Sequence, residues 1–400
     1  MNRNSATNDR VISLGSGLAA IPERLLLAHA QGKVLFIVGA DVSKPTLPDF
    51  RNLVLQVYSK IDISVYEVIK EIPLGVCNQW NPNHSDLRND QKAEVNRFIC
   101  GDYDIVLGML ERRIDGKSDG KSKVRKAVAS ELRISGVQPK PMHRVLMRLA
   151  DRGGAVTIVT TNFDLLLEDA AKNSRPAVQS YALGGIPRPG YSEDFSGVLH
   201  IHGALDRNPA RTSDLIVTDQ DFGEFYLRRR VVADFIYDAA RLFNLVLVGY
   251  SANDPPMRYL LNAVAADGTR FDDLKERFTF VGTSTPDPIG LEDWKGRGIT
   301  PIHYDSAKDH SVLLATLKRW ADLSAINGKK NIVDAEVKRI VRRPRHAAND
   351  ADRDLFDHLI RRSNSNERVQ FSSLASKQKA DLDWLDAIVA IATEKDRESH

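Results

Sequence analysis

The stretch that decides the fold is VLFIVGADVSKPTLPDFR, residues 34–51. Its first five residues are all apolar, which predicts a buried β-strand. The strand runs directly into Gly39 and Ala40, and a small-residue turn at the end of a buried strand is a common place for nucleotide phosphates to bind. An ordinary tight connection between a strand and a helix gives the same pattern, so the other strand ends have to decide between the two interpretations.

Five further short apolar segments are predicted to be strands, and helical segments separate them. They span residues 155–160, 198–202, 245–248, 278–281 and 299–304. Buried, β-branched strands that alternate with helices are typical of a parallel sheet with helices on both faces. The sequence therefore predicts an α/β fold, a Rossmann-like doubly wound parallel sheet of about six strands.

The remaining segments divide the chain into four parts. We expect a flexible N-terminal arm over residues 1–17 and a Rossmann-like domain over 18–325. Residues 52–150 are mostly charged and helical in pattern, which predicts a helical insertion within that domain. A C-terminal helical extension is predicted over 326–400. Its basic stretch, residues 329–345, is interpreted as a solvated or oligomer-forming surface in preference to a nucleic-acid site, because aromatic residues do not interleave with it.

Composition limits the class of protein. The chain has 400 residues, of which 42% are hydrophobic and 27% are charged, and its net charge is only +3. These values are typical of a globular protein, and no apolar run approaches the roughly 18 residues that span a membrane. The polar N-terminal segment does not resemble a signal peptide. Cys77 and Cys100 are the only cysteines, so a reducing cytoplasm is expected and a four-cysteine zinc site is excluded.

Polar residues follow several of the predicted strands, and the carboxyl ends of parallel strands meet at one edge of a sheet. His202 lies at such an end before Gly203, and its ordinary pKa near neutrality suits a general base. A buried histidine bonded to a carbonyl is the alternative. His200 should point to the opposite face of the same strand, under a helix.

Asn162 and Asp164 follow the second large strand. The Asn162 amide can hold a ribose hydroxyl or orient a water molecule, whereas a lone asparagine before a helix is more often an N-cap. Asp164 is interpreted as a helix cap that also supports Asn162. Asp49, Phe50 and Arg51 either shape a pocket around a ligand ring or begin a helix whose phenylalanine enters the core.

Four motifs in order resemble those of the sirtuin family. GADVSKPTLPDFR is similar to the sirtuin phosphate loop, TTNFD to its asparagine loop, HIHG to the strand with its catalytic histidine, and VGYSANDP and VGTS to the two later strand ends. The resemblance covers roughly residues 20–325. It implies that His202 and Asn162 are catalytic. It also implies a set of residues that bind NAD, which is the substrate: Gly39, Ala40, Asp41, Ser43, Asp49, Phe50, Arg51, Thr161, Asp164, Gly249, Tyr250, Ser251, Gly282 and Thr283.

The chain departs from the sirtuin pattern at two points. Asp41 stands where the family has its second glycine, and a carboxylate there would repel a pyrophosphate. Either Asp41 points outward, or NAD binding is weakened and needs activation, or the residue is altered in this chain. The second departure is the helical insertion, which takes the place of the family's zinc module, so no zinc is expected.

That arrangement is similar to bacterial sirtuin-like proteins of anti-phage defence, which destroy NAD. DYDIVLGMLERR and AIPERLLLAH resemble the stand-alone subunits that pair with HerA-type ATPases and form rings. The resemblance implies NAD+ hydrolysis to nicotinamide and ADP-ribose, a homo-oligomer and a HerA-type ATPase partner. Direct nucleic-acid binding is less favoured, and no membrane association is expected. An NAD-dependent protein deacylase and a catalytically weak nucleotide-binding scaffold remain as alternatives.

Overall fold

The structure is a computed structural model that describes most of the chain. The described residues are 10–44, 46–75, 84–116, 122–133, 136–172, 177–190, 194–205, 207–208, 214–250, 255–267, 274–285, 287–307 and 309–398. Within them, no helix is both long and apolar enough to cross a membrane.

Strands and helices alternate along most of the chain. The strands are β1 (Val11–Ser13), β2 (Ala20–Pro22), β3 (Val34–Val38), β4 (Thr157–Thr160), β5 (Gln179–Tyr181), β6 (Gly197–His200), β7 (Asn244–Val248), β8 (Arg277–Thr283) and β9 (Thr300–Asp305). The helices up to the end of the insertion are α1 (Glu23–Ala30), α2 (Phe50–Ile61), α3 (Ile63–Ile69), α4 (Asn89–Cys100), α5 (Tyr103–Asp115) and α6 (Lys123–Leu132). The helices that follow are α7 (Pro141–Ala150), α8 (Leu166–Ala170), α9 (Asp219–Phe222), α10 (Val231–Leu242), α11 (Pro255–Asp267), α12 (Pro288–Gly296), α13 (Ser311–Leu323), α14 (Lys330–Ile340), α15 (Asp350–Arg362), α16 (Ser365–Lys377) and α17 (Leu382–Glu398). Short 3-10 helices span Ala40–Val42 and Arg345–Ala347, and a π-helix spans Gly223–Arg228.

Seven strands form one parallel sheet, in the order β5-β6-β4-β3-β7-β8-β9. β3 lies at the centre of this order. The strands β4 and β6 lie on one side of it, and β7, β8 and β9, which come later in the chain, lie on the other side. This order is that of a doubly wound Rossmann-like sheet, with its switch point between β3 and β7. The predicted fold class is therefore confirmed. The sequence analysis missed the edge strand β5 because its residues are largely exposed and do not form an apolar run.

Alternate residues of β3 enter two different cores. Phe36 lies in the cluster on one face of the sheet, together with helices α1, α7 and α13. Leu35 and Ile37 lie in the cluster on the other face, with α10 and α11. Because successive side chains of a strand point to opposite faces, a strand covered on both sides must be apolar at every position. This explains why β3 was recognisable from the sequence.

Helices α2 to α6 form a third core of their own, and we call them the insertion. Val54, Val57, Phe98 and Leu107 are among its buried residues. The predicted insertion extended to residue 150, but α7 packs on the sheet, where His29 Nε2 lies 2.9 Å from the Leu149 carbonyl. The insertion therefore ends before α7.

Buried ion pairs fix the insertion to the segment that follows β6. Arg125 on α6 binds Glu111 at 2.9 Å within the insertion and Asp221 on α9 at 2.7 Å. Its guanidinium also donates to the Leu215 carbonyl at 3.0 Å. The insertion and α9 are thus held together by charge-assisted hydrogen bonds that are shielded from solvent.

The two ends of the described chain pack against each other. β1 pairs with β2 in an antiparallel ladder, and Ile12 is fully buried, so the prediction of a flexible arm over residues 1–17 is wrong for this strand. Residues 1–9 lie outside the described residues. Ile12 belongs to the same core as Phe356 and Trp384 of the C-terminal helices, because α15 covers the β1–β2 pair.

The C-terminal extension is helical, as predicted, and its described residues form helices α14 to α17. The basic stretch 329–345 forms α14 and the turn that follows it. Its Arg339 pairs with Glu336 and Asp352, and Arg345 pairs with Asp357 at 2.8 Å. Part of the positive charge of this stretch is therefore neutralised within the protein.

Candidate functional site

A cavity of about 490 Å³ lies between the carboxyl ends of the central strands and the insertion. Its volume is in the range of small-molecule and cofactor sites. One side, which we call the sheet wall, comprises Ala40, Asp41, Ser43, Thr161, Asn162, Phe163, Asp164, His202, Ile216, Phe222, Gly249 and Tyr250. The other side, the insertion wall, comprises Leu47, Pro48, Asp49, Phe50, Arg51, Leu53, Leu74, Gly101, Tyr103, Asp104 and Leu132.

The Ser43 hydroxyl is the centre of a hydrogen-bond network in the sheet wall. It donates to Asp164 Oδ2 at 3.1 Å and accepts from Asn162 Nδ2 at 3.2 Å. His143 Nε2 lies 3.2 Å from the same oxygen. The Lys140 backbone N–H donates to His143 Nδ1 at 3.1 Å, so the proton of the neutral ring is on Nε2, which donates to Ser43. The network therefore fixes the position of the Asn162 amide.

Burial sets the charge states in this network. Desolvation, reinforced by the nearby charges of Lys140 and Arg144, lowers the pKa of His143 to about 4, so the ring is neutral at physiological pH. Desolvation raises the pKa of Asp164, although hydrogen bonds from the Leu166 amide and Ser43 partly oppose that shift. The sequence analysis missed His143, which is 100 residues from Ser43 along the chain.

Asn162 has one polar atom that the protein leaves unsatisfied. The residue is 9% exposed, and its Oδ1 is buried with no hydrogen-bond partner among the described residues. A buried acceptor without a partner costs roughly 1–3 kcal/mol, so it is retained where a ligand or water supplies the missing donor. This atom is the strongest indication of a ligand in the sheet wall.

A buried pair beneath the wall holds the loop that carries Asn162. His200 is fully buried, as predicted for the opposite face of its strand, and its Nδ1 contacts the Asn162 carbonyl at 2.7 Å. Its Nε2 lies 2.8 Å from Glu168 Oε1 on α8. Desolvation opposes protonation of His200, but the hydrogen bond and charge of Glu168 outweigh it and raise the pKa. The protonated ring therefore ties the asparagine loop to α8.

His202 lies two residues beyond the end of β6 and lines the cavity. Its Nε2 is 2.7 Å from the hydroxyl of Tyr226, a residue of the π-helix. The rings of Phe222 and Tyr226 meet the imidazole edge-on, with centroids 5.5 Å and 5.9 Å away. Short π-helical segments are frequent at functional sites, and this one orients the imidazole. The sequence analysis missed Tyr226, because the segment reads as an ordinary helix start.

Gly39 packs directly against the turn after β7. A Cβ atom at Gly39 would lie 2.3 Å from the Gly249 carbonyl oxygen and 2.6 Å from Tyr250 Cα. Four amides of the turn are already engaged: those of Gly39, Asp41, Val42 and Ser43 donate to the carbonyls of Val248, Gly249, Gly39 and Ala40. These four N–H groups are therefore not open to a phosphate in this conformation, and Gly39 is required by the contact between the two turns.

Asp41 lines the cavity, and its side chain is 53% exposed to solvent. It pairs with Lys44 Nζ at 2.7 Å, and the same ammonium is 3.7 Å from Asp49 Oδ2. Desolvation would lower the pKa of Lys44, but Asp41 and Asp49 outweigh it and raise that pKa. Lys44 therefore neutralises the carboxylate, and the effect of Asp41 on NAD binding stays a prediction.

Asp49, Phe50 and Arg51 belong to the start of α2. Asp49 accepts a hydrogen bond from the Asn52 amide at 2.9 Å and caps the helix. Phe50 lies edge-on to Tyr103 at 6.0 Å and lines the cavity. The Arg51 guanidinium stacks 4.7 Å above the Phe98 ring and donates to the Ile72 carbonyl, so it turns into the insertion.

Three of the described residues in the predicted site do not line this cavity: Gly39, Gly282 and Thr283. Gly282 and Thr283 lie within β8, two strands from β3, and a Cβ atom at Gly282 would lie 2.6 Å from the Tyr304 hydroxyl. Thr283 Oγ1 contacts His303 Nε2 at 2.7 Å. Their assignment to the adenosine part of NAD stays a prediction, and Ser251 lies outside the described residues.

Comparison with known proteins found one relative, one solved structure and one family model that are similar to parts of this chain. The chain is 34% identical over 311 residues to an uncharacterized protein, y4cA, of Sinorhizobium fredii, and the match covers 76% of this chain. It spans only 24% of that much longer relative. A solved structure described as "Structural Basis for the Mechanism and Regulation of Sir2 Enzymes" aligns with 74% of this chain and 96% of its own. Its sequence identity to this chain is 14% and its TM-score is 0.32.

A protein-family model described as "SIR2-like domain" matches residues 156–302. The matched range includes β4 and the two residues assigned to catalysis, Asn162 and His202, and it ends within β9. Over residues 156–302 the chain is therefore similar to SIR2-like domains.

Proposed function

We propose that this protein is an NAD+ glycohydrolase, which cleaves the bond between nicotinamide and ribose. A SIR2-like domain supports NAD-dependent chemistry in general. The observation that carries the more specific proposal is the cavity, where Asn162, whose buried Oδ1 has no partner among the described residues, and His202 line the same wall. An acceptor that orients water and a base that deprotonates it are what hydrolysis of this bond requires.

In the proposed reaction the carbon–nitrogen bond to nicotinamide breaks first, and its electron pair leaves with the ring. The ring was a cation and departs neutral, while the positive charge passes to an oxocarbenium-like ribose. Water held by Asn162 Oδ1 then bonds to the ribose carbon, and its proton passes to His202 and on to solvent. The products are nicotinamide and ADP-ribose, and every atom comes from NAD+ and one water molecule.

The protein atoms around these two residues suit their roles. Ser43 and the His200–Glu168 pair fix the side chain and backbone of Asn162, so little ordering is needed when the ligand binds. Tyr226 holds His202 Nε2. If that nitrogen donates to the tyrosine oxygen, then Nδ1 carries the lone pair of the base.

The test is nicotinamide release from NAD+ by the purified chain. We expect Asn162→Ala and His202→Ala each to lower the turnover number by about 100-fold or more, the usual range for loss of a positioned acid–base group. His346→Ala is the control, since that residue is exposed and lies in the C-terminal extension. Unchanged NAD+ consumption in both cavity variants would show that the site assignment is wrong.

A nucleotide-binding scaffold with weak catalytic activity is the second candidate. Four amides of the β3 turn donate to the protein itself, so a dinucleotide held by the rest of the cavity would not have its pyrophosphate fixed at this turn, which favours weak catalysis. A scaffold would be stabilised thermally by ADP-ribose and NAD+ while NAD+ persists during long incubation.

A role in anti-phage defence, a ring-like homo-oligomer and a HerA-type ATPase partner stay predictions from the sirtuin resemblance. Nicotinamide release measured with and without an added HerA-type ATPase would test the dependence on a partner. The oligomeric state of the purified chain can be measured by light scattering.

A further inference from the structure

The insertion wall contributes one carboxylate that the sheet-centred site does not include. Asp104 lies in the first turn of α5, lines the cavity and is partly buried. Gly108, one turn later on the same helix face, packs against α9, since a Cβ atom there would lie 2.0 Å from Asp219 Oδ1. This face of α5 is therefore directed toward the element that ends at Phe222, beside His202.

The surroundings of Asp104 are apolar and negatively charged. Tyr103 next to it is stacked edge-on with Phe50 and Phe98, with centroids 6.0 Å and 5.3 Å away. Burial raises the pKa of Asp104, and the charges of Asp219 and Asp102 act in the same direction. The carboxylate thus stands in a place where it is poorly solvated.

No cation of the described residues pairs with Asp104. Arg112, two turns further along α5, is engaged by Asp219 through two hydrogen bonds of 3.0 Å and 3.3 Å. The backbone amides of Ile105 and of Asp104 itself partly oppose the raised pKa of the Asp104 carboxyl. A partly buried, unpaired carboxylate is costly, and a cation bound in the cavity would offset that cost.

We propose that Asp104 makes this site select the oxidised, cationic form of the dinucleotide, NAD+, over the neutral NADH. The inference rests on the proposed function and names the form of the substrate. The nicotinamide ring of NAD+ carries a positive charge, which the dihydronicotinamide ring of NADH lacks. A carboxylate in the wall beside that ring attracts the cationic nicotinamide of NAD+. It contributes little binding energy to the neutral ring of NADH. ADP-ribose has no such ring, so its affinity should not depend on Asp104.

The experiment measures binding of NAD+, NADH and ADP-ribose by calorimetry, with His202→Ala as the background so that NAD+ is not consumed. We expect Asp104→Asn to weaken NAD+ binding by about tenfold, as for one partly solvated charge pair. The affinities for NADH and ADP-ribose should change less than about twofold. Asp104→Glu keeps the charge and should keep the preference for NAD+.

Asp102→Asn is the matched control. It removes a carboxylate two residues away that pairs with Arg97 at 3.0 Å and does not line the cavity, so the NAD+ to NADH affinity ratio should stay unchanged. Equal losses for NAD+ and NADH in Asp104→Asn, or no loss for either, would overturn the assignment. If the background variant binds none of the three ligands, the proposed function itself fails. Thermal unfolding of each variant identifies a change that merely damages the fold.

Discussion

The two walls of the cavity are built in different ways. The sheet wall consists of strand ends whose side chains bond to one another, and its Ser43, Asn162 and His202 are less than 10% exposed. The insertion wall consists of helix ends and loops on another core, and it includes Leu74, which is 75% exposed. The comparison indicates that fixed geometry, which bond cleavage needs, comes from the sheet. The insertion supplies apolar surface and the charge of Asp104.

The largest difference is expected in how a substitution near each wall changes the free energy of unfolding. We expect Gly39→Ala to lower the free energy of unfolding by about 3 kcal/mol or more, because the added methyl group would lie 2.3 Å from a backbone oxygen. Leu74→Ala in the insertion wall should cost less than about 0.5 kcal/mol, since the side chain is mostly exposed. Urea denaturation measures both. Similar losses would mean that the walls are equally rigid.

The buried pair under the sheet wall should give stability a pH dependence. The pKa of His200 is raised in the folded protein, so its contribution is present below the ordinary histidine value and is lost as pH rises through the folded value. Glu168→Gln should therefore cost about 2 kcal/mol at pH 6 and clearly less at pH 9. Unfolding free energies of both proteins across this range measure the effect. A pH-independent difference would mean that His200 is neutral.

A smaller effect is expected where the π-helix contacts the catalytic base. Tyr226→Phe removes only the hydroxyl that lies 2.7 Å from His202 Nε2. We expect about a tenfold lower turnover number and a shift of the pH–rate profile, with an unchanged KM for NAD+. Tyr103→Phe in the insertion wall is the matched control and should leave the profile in place. A higher KM for NAD+ with an unchanged turnover number would instead assign Tyr226 to ligand binding.

The smallest effect should come from Asp41. Its exposed pair with Lys44 is worth roughly 0–1 kcal/mol, so Asp41→Gly should change the affinity for ADP-ribose less than about threefold. Titration calorimetry can resolve a change of that size. A large gain in binding would instead show that the carboxylate repels the pyrophosphate and that the loop limits activity.

The same contrast explains what could be predicted from the sequence. A strand that is buried on both faces, such as β3, appears in the sequence as a continuous apolar segment. The end of that segment indicates where the strand ends. The edge strand β5 and the β1–β2 pair are short, with three residues in each strand, and leave no such signal. The predicted His202 and Asn162 do share a cavity.

The residues that support them could not be found from the sequence. His143, Glu168 and Tyr226 meet their partners across 24 to 100 positions of sequence, and no local pattern marks a contact of that kind. Asp104 lies in an ordinary amphipathic helix. Its importance depends on how the insertion is placed over the sheet, and buried pairs such as Arg125 with Asp221 decide that placement.

The contact between the turns after β3 and β7 has a kinetic consequence. The Asp41 amide donates to the Gly249 carbonyl, so if the diphosphate of a dinucleotide binds to this amide, that hydrogen bond has to open first. Association measured by rapid mixing should then level off at high dinucleotide concentration, at a ceiling set by the opening step of the protein.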